Sequence, residues 1–183
     1  MTMIVRLFHG LASRARACVY RLRGVQIDGH CWLRAIEIPR QHTAIHLADG
    51  VQLDRGVVLL ATGAPTGAKK IVIGRAAYIN RATMIDASER IEIGAHCMIG
   101  PFCYLTDHDH SISPQGDAGS GPLFSKPTRL GERCWLGAHV TVLKGVTIGD
   151  GTVVGAGSVV TKSLPAGVIA VGNPARVLRQ IAS

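Results

Sequence analysis

From Leu130 onward the chain places an aliphatic residue at every sixth position: Leu130, Leu136, Val142, Ile148, Val154 and Val160. Gly131, Gly137, Gly149 and Gly155 directly follow four of them. Six aliphatics in fixed phase arise by chance on the order of once in a few thousand trials, so the period is real. It is neither the 3.6-residue period of a helix nor the two-residue period of an ordinary strand. A six-residue period predicts a parallel β-helix, in which each hexad makes one short strand and one corner. The same phase recurs upstream at Ile27 and Leu33; Leu47, Leu53 and Leu59; Ile73, Ile79 and Ile85; and Ile93, Ile99 and Leu105. Four residues after these aliphatics the repeat tends to place a small or β-branched residue, as at Ala77, Thr83, Cys97, Cys103, Cys134, Val140, Val146, Thr152 and Ser158. Both positions are predicted to point inward, where each buried aliphatic yields roughly 1.5–3 kcal/mol before ordering entropy is subtracted. Stacked coils then build a core that one coil cannot.

The pattern divides the chain into a helical cap (1–24), a coil (25–165) interrupted by a loop at 106–129, and a tail (166–183) of strand and short C-terminal helix. The cap reads as an amphipathic helix with Ile4, Leu7, Leu11, Ala15, Cys18, Val19 and Leu22 on one stripe and Arg14, Arg16, Arg21 and Arg23 around it. Two placements suit it: a cap whose apolar stripe covers the first coil, or a helix lying on a membrane surface. Arg6 interrupts the only N-terminal apolar stretch, and no uncharged run is long enough to span a bilayer, so the chain is expected in the cytoplasm, with peripheral contact at the inner membrane face under the second placement.

Composition narrows the partners. A net charge of +8 calls for an acidic partner, but aromatic residues make up only 4% of the chain, too few for base stacking, and nucleic acid is set aside. The five cysteines do not form a disulfide framework, because Cys97, Cys103 and Cys134 fall on inward positions of the repeat.

The loop carries the densest ionisable cluster, Asp107-His108-Asp109-His110, immediately after a strand the core holds rigid. A loop of this length is either functional or disordered. An imidazole titrating near neutrality suits a general base, and a neighbouring carboxylate can fix its tautomer. The cluster also offers nitrogen and oxygen ligands to a metal, although His96 and His139 would have to converge from a neighbouring coil or subunit. No nucleophile elbow is present, and Gly149-Asp150-Gly151 and Gly155-Ala156-Gly157 lie inside hexads, as corners rather than a dinucleotide loop.

The segment from Ile93 to Arg179 resembles the hexapeptide-repeat acyltransferases, within them the sugar O-acetyltransferases that include the galactoside and maltose enzymes. The matching stretches are Ile99-Gly100-Pro101, the loop with His110, Cys134-Trp135-Leu136-Gly137-Ala138, Gly145 to Asp150, Gly155 to Lys162, and Gly172-Asn173-Pro174-Ala175. The resemblance implies an all-β, left-handed parallel β-helix that assembles as a homotrimer, with acetyl-CoA as co-substrate between subunits and no metal. It implies an O-acetyltransferase acting on a sugar hydroxyl, in a surface polysaccharide or its precursor. The family's catalytic histidine falls on His110. Asn80, Asp107, His108 and Trp135 are the implied acceptor contacts. Gly137, Ala138 and Ala156 would contact the thioester or pantetheine arm, Lys162 and Arg176 the phosphates, and Pro174 the adenine. Ala138 stands where several such enzymes have serine, and Ser111 follows His110 in place of the usual proline. Two alternatives stand beside this reading: a γ-carbonic-anhydrase-like zinc enzyme, and a non-catalytic repeat scaffold.

Overall fold

The structure, a computed structural model, describes residues 3–113 and 118–181, with side chains described from Phe8 to Ser113 and from Gly121 to Ile181. It is a parallel β-helix of three sheets. One coil is Ile71–Ile73 in the first sheet, Tyr78–Ile79 in the second and Met84–Ala87 in the third. The next repeats it as Ile91–Ile93, Met98–Ile99 and Tyr104–Thr106. Register carries the hexad phase from coil to coil: Ile73 pairs with Ile93 and Ile93 with Leu130, Ile79 with Ile99 and Ile99 with Leu136, Ile85 with Leu105 and Leu105 with Val142. All the phased aliphatics are buried, as are the small residues four positions on. The sequence period is thus the core itself.

Three columns of corners run the length of the prism. The second, between the second and third sheets, stacks Asp54, Asn80, Gly100, Gly137 and Gly155, each donating its backbone N–H to the coil below. Glycine is required in its lower half. A Cβ on Gly100 would sit 2.6 Å from the Gly137 carbonyl carbon, and one on Gly137 would sit 2.6 Å from the Ala156 nitrogen.

The helix Met3–Leu22 closes the open end with its polar and small face, not its apolar stripe. Ser13 Oγ accepts the Leu33 N–H at 2.7 Å, Arg16 donates to the Leu33 carbonyl at 3.3 Å, and the Tyr20 hydroxyl donates to the Ile36 carbonyl at 3.0 Å. These side chains meet the backbone groups that a preceding coil would otherwise pair. Ala17 is buried against the coil and Gly10 lies beside Trp32. The stripe therefore faces outward: Leu11 is 58% exposed, Val19 46% and Leu22 84%, with Phe8 beside them. This corrects the covering role expected of the stripe. The reason is that a strand edge demands hydrogen-bond partners before it demands apolar cover. Ile4 and Leu7, also read on that stripe, lie outside the residues whose side chains are described.

Two further differences concern hairpins. The loop at 106–129 contains an antiparallel pair, His108–Ile112 with Ala118–Ser125, bulged between His110 and Ile112. The short C-terminal helix expected in the tail is instead a strand, Ala175–Gln180, which turns back through Asn173–Pro174 onto Val168–Gly172. Pairing there covers the edge that the second sheet would otherwise expose, which outweighs local helix propensity.

Candidate active site

The loop hairpin leaves the coil at the third edge, where the third sheet turns back to the first. Its root is fixed by Asp107, which is wholly buried. Asp107 Oδ1 accepts the Ser88 N–H at 2.7 Å, and Oδ2 accepts those of Glu89 at 2.8 Å and Arg90 at 2.5 Å. Three backbone donors on one carboxylate lock the corner of the preceding coil to the start of the hairpin. His108 Nδ1 lies 3.0 Å from the same Oδ1, and its Nε2 is 4.0 Å from Asp86 Oδ2. His108 is buried between two carboxylates.

Two positions on, His110 is exposed and occupies the same face of its strand as His108, with the ring centroids 6.2 Å apart. Between them Asp109 turns to the opposite face and forms an ion pair with Lys144 of the next coil. The cluster thus divides into a buried base, Asp107 and His108, and an open imidazole, His110. Asp107 and His108, expected to touch an acceptor, instead sit behind the surface with their polar atoms engaged.

The remaining expected residues, Lys162 excepted, lie on other faces of the same chain. Asn80, Gly137, Ala138 and Ala156 line the second edge, not the third. There the corner chemistry changes down the column. Asp54 and Asn80 accept the N–H of the residue that follows each, at 2.7 and 2.8 Å. Gly137 and Gly155 have no side chain to do so, and the N–H groups of Ala138 and Ala156 have no acceptor among the described residues. They form a pair of open donors. Trp135, 53% exposed, stands on the second sheet beside Met98, and Phe102 stacks on His139 at 5.0 Å along the same second edge. Lys162 is exposed on the third edge, while Pro174 and Arg176 are exposed at the terminal hairpin.

His96, His139 and the loop histidines occupy three different edges, so they do not converge within one chain. Among the described residues no three His, Cys, Asp or Glu side chains gather as a metal site.

Sequence reasoning passed over Met98 and Phe102, weighed His139 only as a metal ligand, and passed over the arginines of the upper second edge. The signal was present in the phase: Phe102 and His139 both stand three residues after a phased aliphatic, as do Gly56, Ala82 and Gly157.

Comparison with known proteins settles the family. Residues 127–162 match the bacterial transferase hexapeptide (six repeats) family. The chain is 39% identical over 131 residues to the Escherichia coli K12 protein called "putative colanic acid biosynthesis acetyltransferase WcaF", covering 72% of this chain and 70% of that one. It belongs to the hexapeptide-repeat acetyltransferases. The Escherichia coli K12 galactoside O-acetyltransferase is 40% identical over 111 residues, 61% of this chain and 54% of that one. A hexapeptide-repeat acetyltransferase of Vibrio cholerae, solved with acetyl-coenzyme A, superimposes with a TM-score of 0.59 at 29% identity, covering 70% of this chain and 72% of that one. The β-helix of this hexapeptide-repeat acetyltransferase is accordingly left-handed, and the family is one of enzymes, so the zinc-enzyme and scaffold alternatives give way.

Proposed function

We propose that this acetyltransferase moves the acetyl group of acetyl-CoA to a hydroxyl of a sugar in a surface polysaccharide or its precursor, by direct attack with His110 as the general base. The observation that carries the reading is the pairing of an exposed imidazole on a rigid buried root with two open backbone donors, Ala138 and Ala156, in a chain of this family. As the acceptor oxygen attacks the thioester carbonyl, His110 takes its proton. The backbone donors meet the oxyanion that develops, and the protonated imidazole returns the proton to the departing CoA sulfur. The acetyl group goes to the oxygen and CoA leaves as the free thiol, with no covalent enzyme intermediate.

His108 and Asp107 act in this scheme as positioning residues. Asn80, whose Oδ1 is committed to Arg81, retains its amide N–H groups for the acceptor, with Trp135 bordering the sugar. Gly137 allows the groove its depth, Lys162 and Arg176 meet phosphates, and Pro174 packs on adenine. His110 and the donors occupy different edges of one chain, which favours a homotrimer with each site shared by two subunits.

No described helix is long and apolar enough to cross a membrane. The outward stripe Leu11, Val19 and Leu22, with Arg14, Arg21 and Arg23 exposed around it, supports peripheral docking on an anionic membrane.

The test is a coupled assay. Incubating the protein with acetyl-CoA and a panel of glycosides should release CoA thiol only with an acceptor present, yielding an alkali-labile sugar ester. Acetylation confined to amino sugars, or no acceptor-dependent release across the panel, overturns the O-acetyltransferase reading.

A further inference from the structure

A cavity of about 640 Å³ opens between the N-terminal helix and the upper second edge. Four guanidinium side chains line it: Arg16 from the helix, and Arg34, Arg55 and Arg81 from three successive coils, with His9 at the rim. Its one carboxylate is Asp54, buried and already engaged by Arg34 at 3.5 Å, the Arg55 N–H at 2.7 Å and the Tyr78 hydroxyl at 3.2 Å. Arg55 and Arg81 have no carboxylate partner among the described residues. Like charges converge in a cleft at a cost that an anion offsets, and guanidinium forks match phosphate oxygens two at a time. The position is specific. The Ala82 N–H donates to the Arg55 carbonyl and the Asp54 N–H to the Ile79 carbonyl, so Arg55 stacks directly on Arg81, which follows Asn80 in the chain. Coils rise by about 4.8 Å, so Arg81 shares the rung of Asn80 and Arg55 stands one rung from it, about the width of a sugar ring.

We propose that this cavity holds the diphosphate of an acceptor sugar carried as a sugar diphosphate diester. The idea rests on the reading of Asn80 as the acceptor contact and names the acceptor's class: a sugar activated through a diphosphate, whether to a nucleoside or to a lipid. Arg55 and Arg81 clasp the phosphates, Arg16 and Arg34 close over them from the helix side, and the sugar extends down the edge to Asn80.

Calorimetric titration of the full chain with inorganic pyrophosphate at low salt tests it. Wild-type protein should bind, Arg55→Gln and Arg81→Gln should each weaken binding about tenfold or more, and Arg75→Gln, an exposed arginine at the first edge, should not. Circular dichroism of each variant confirms folding. Equal affinity across all four proteins overturns the proposal. A nucleoside-diphosphate hexose and a polyprenyl-diphosphate hexose are then titrated as competitors. Whichever displaces pyrophosphate identifies the source, and displacement by neither overturns the assignment. In turnover, the two variants should raise the KM for a diphosphate-linked acceptor about tenfold with little change in kcat. Pyrophosphate binding that depends on both arginines, in a protein that acetylates no sugar, retains the cavity and rejects the enzymatic reading. Acetyl transfer with arginine-independent pyrophosphate binding does the reverse.

Discussion

At the scale of single residues, the loop cluster is two sites in four positions. His110 is open to solvent and His108 is enclosed between Asp86 and Asp107, a difference of burial that spacing alone does not reveal. His110→Ala should lower kcat by ~10²–10⁴-fold with CoA affinity retained, because a general base need not touch the co-substrate. His108→Ala should show the smaller loss of kcat once corrected for folded fraction. A greater catalytic loss at His108 would move the base inward and displace His110. Asp107 works through structure: Asp107→Ala strands three backbone N–H donors and should cost about 2–4 kcal/mol, read as a lowered thermal midpoint. An unchanged midpoint would mean that the hairpin root does not depend on that carboxylate. The cysteines divide in the same way. Burial pushes the Cys31 thiol up to about 11, and Cys97, Cys103 and Cys134 lie in the core, so a thiol reagent at mild alkaline pH should label Cys18 alone in the folded protein. Rapid labelling of Cys97 or Cys134 would contradict the stacked core.

The helix and the two hairpins, as elements, separate what was legible in sequence from what was not. Hexad positions such as Ile99 and Leu136 could be assigned because burial repeats with a fixed period, and their inward direction follows. The hairpin strand at His108–Ile112 was hidden because it carries no hexad phase and its order comes from partners distant in sequence, Ser125 and Leu123. The helix was legible, but its orientation was not. An apolar stripe reads as a buried face, yet the first coil's edge needed the hydroxyl of Ser13 and the guanidinium of Arg16 more than it needed leucines. Asn80, His110, Ala138 and Ala156 were found by resemblance, whereas the openness of the last two N–H donors follows from an absence of side chain that only the stacked column makes visible. The outward stripe carries its own expectation. The protein should sediment with anionic vesicles, and those vesicles should shield Cys18 from the thiol reagent, while Leu11→Glu with Val19→Glu should abolish both effects. Protein that stays in solution with anionic and neutral vesicles alike would leave the stripe without a membrane role.

For the whole molecule, the separation of the two edges bears on the proposed homotrimer. One prism carries its open imidazole on the third edge and its open donors on the second, so the proposed site draws one edge from each of two subunits. The most direct measurement co-expresses two inactive chains, His110→Ala and an Ala156→Phe variant that fills the cofactor groove, and assays purified mixed trimers for acetyl transfer. A site built from the intact edge of each chain is wild type, and every mixed trimer holds one such site among its three, so the purified mixed trimers should show about a third of wild-type turnover per subunit. Mixed trimers proven by mass that recover none would place the base and the donors on one chain and contradict the shared site.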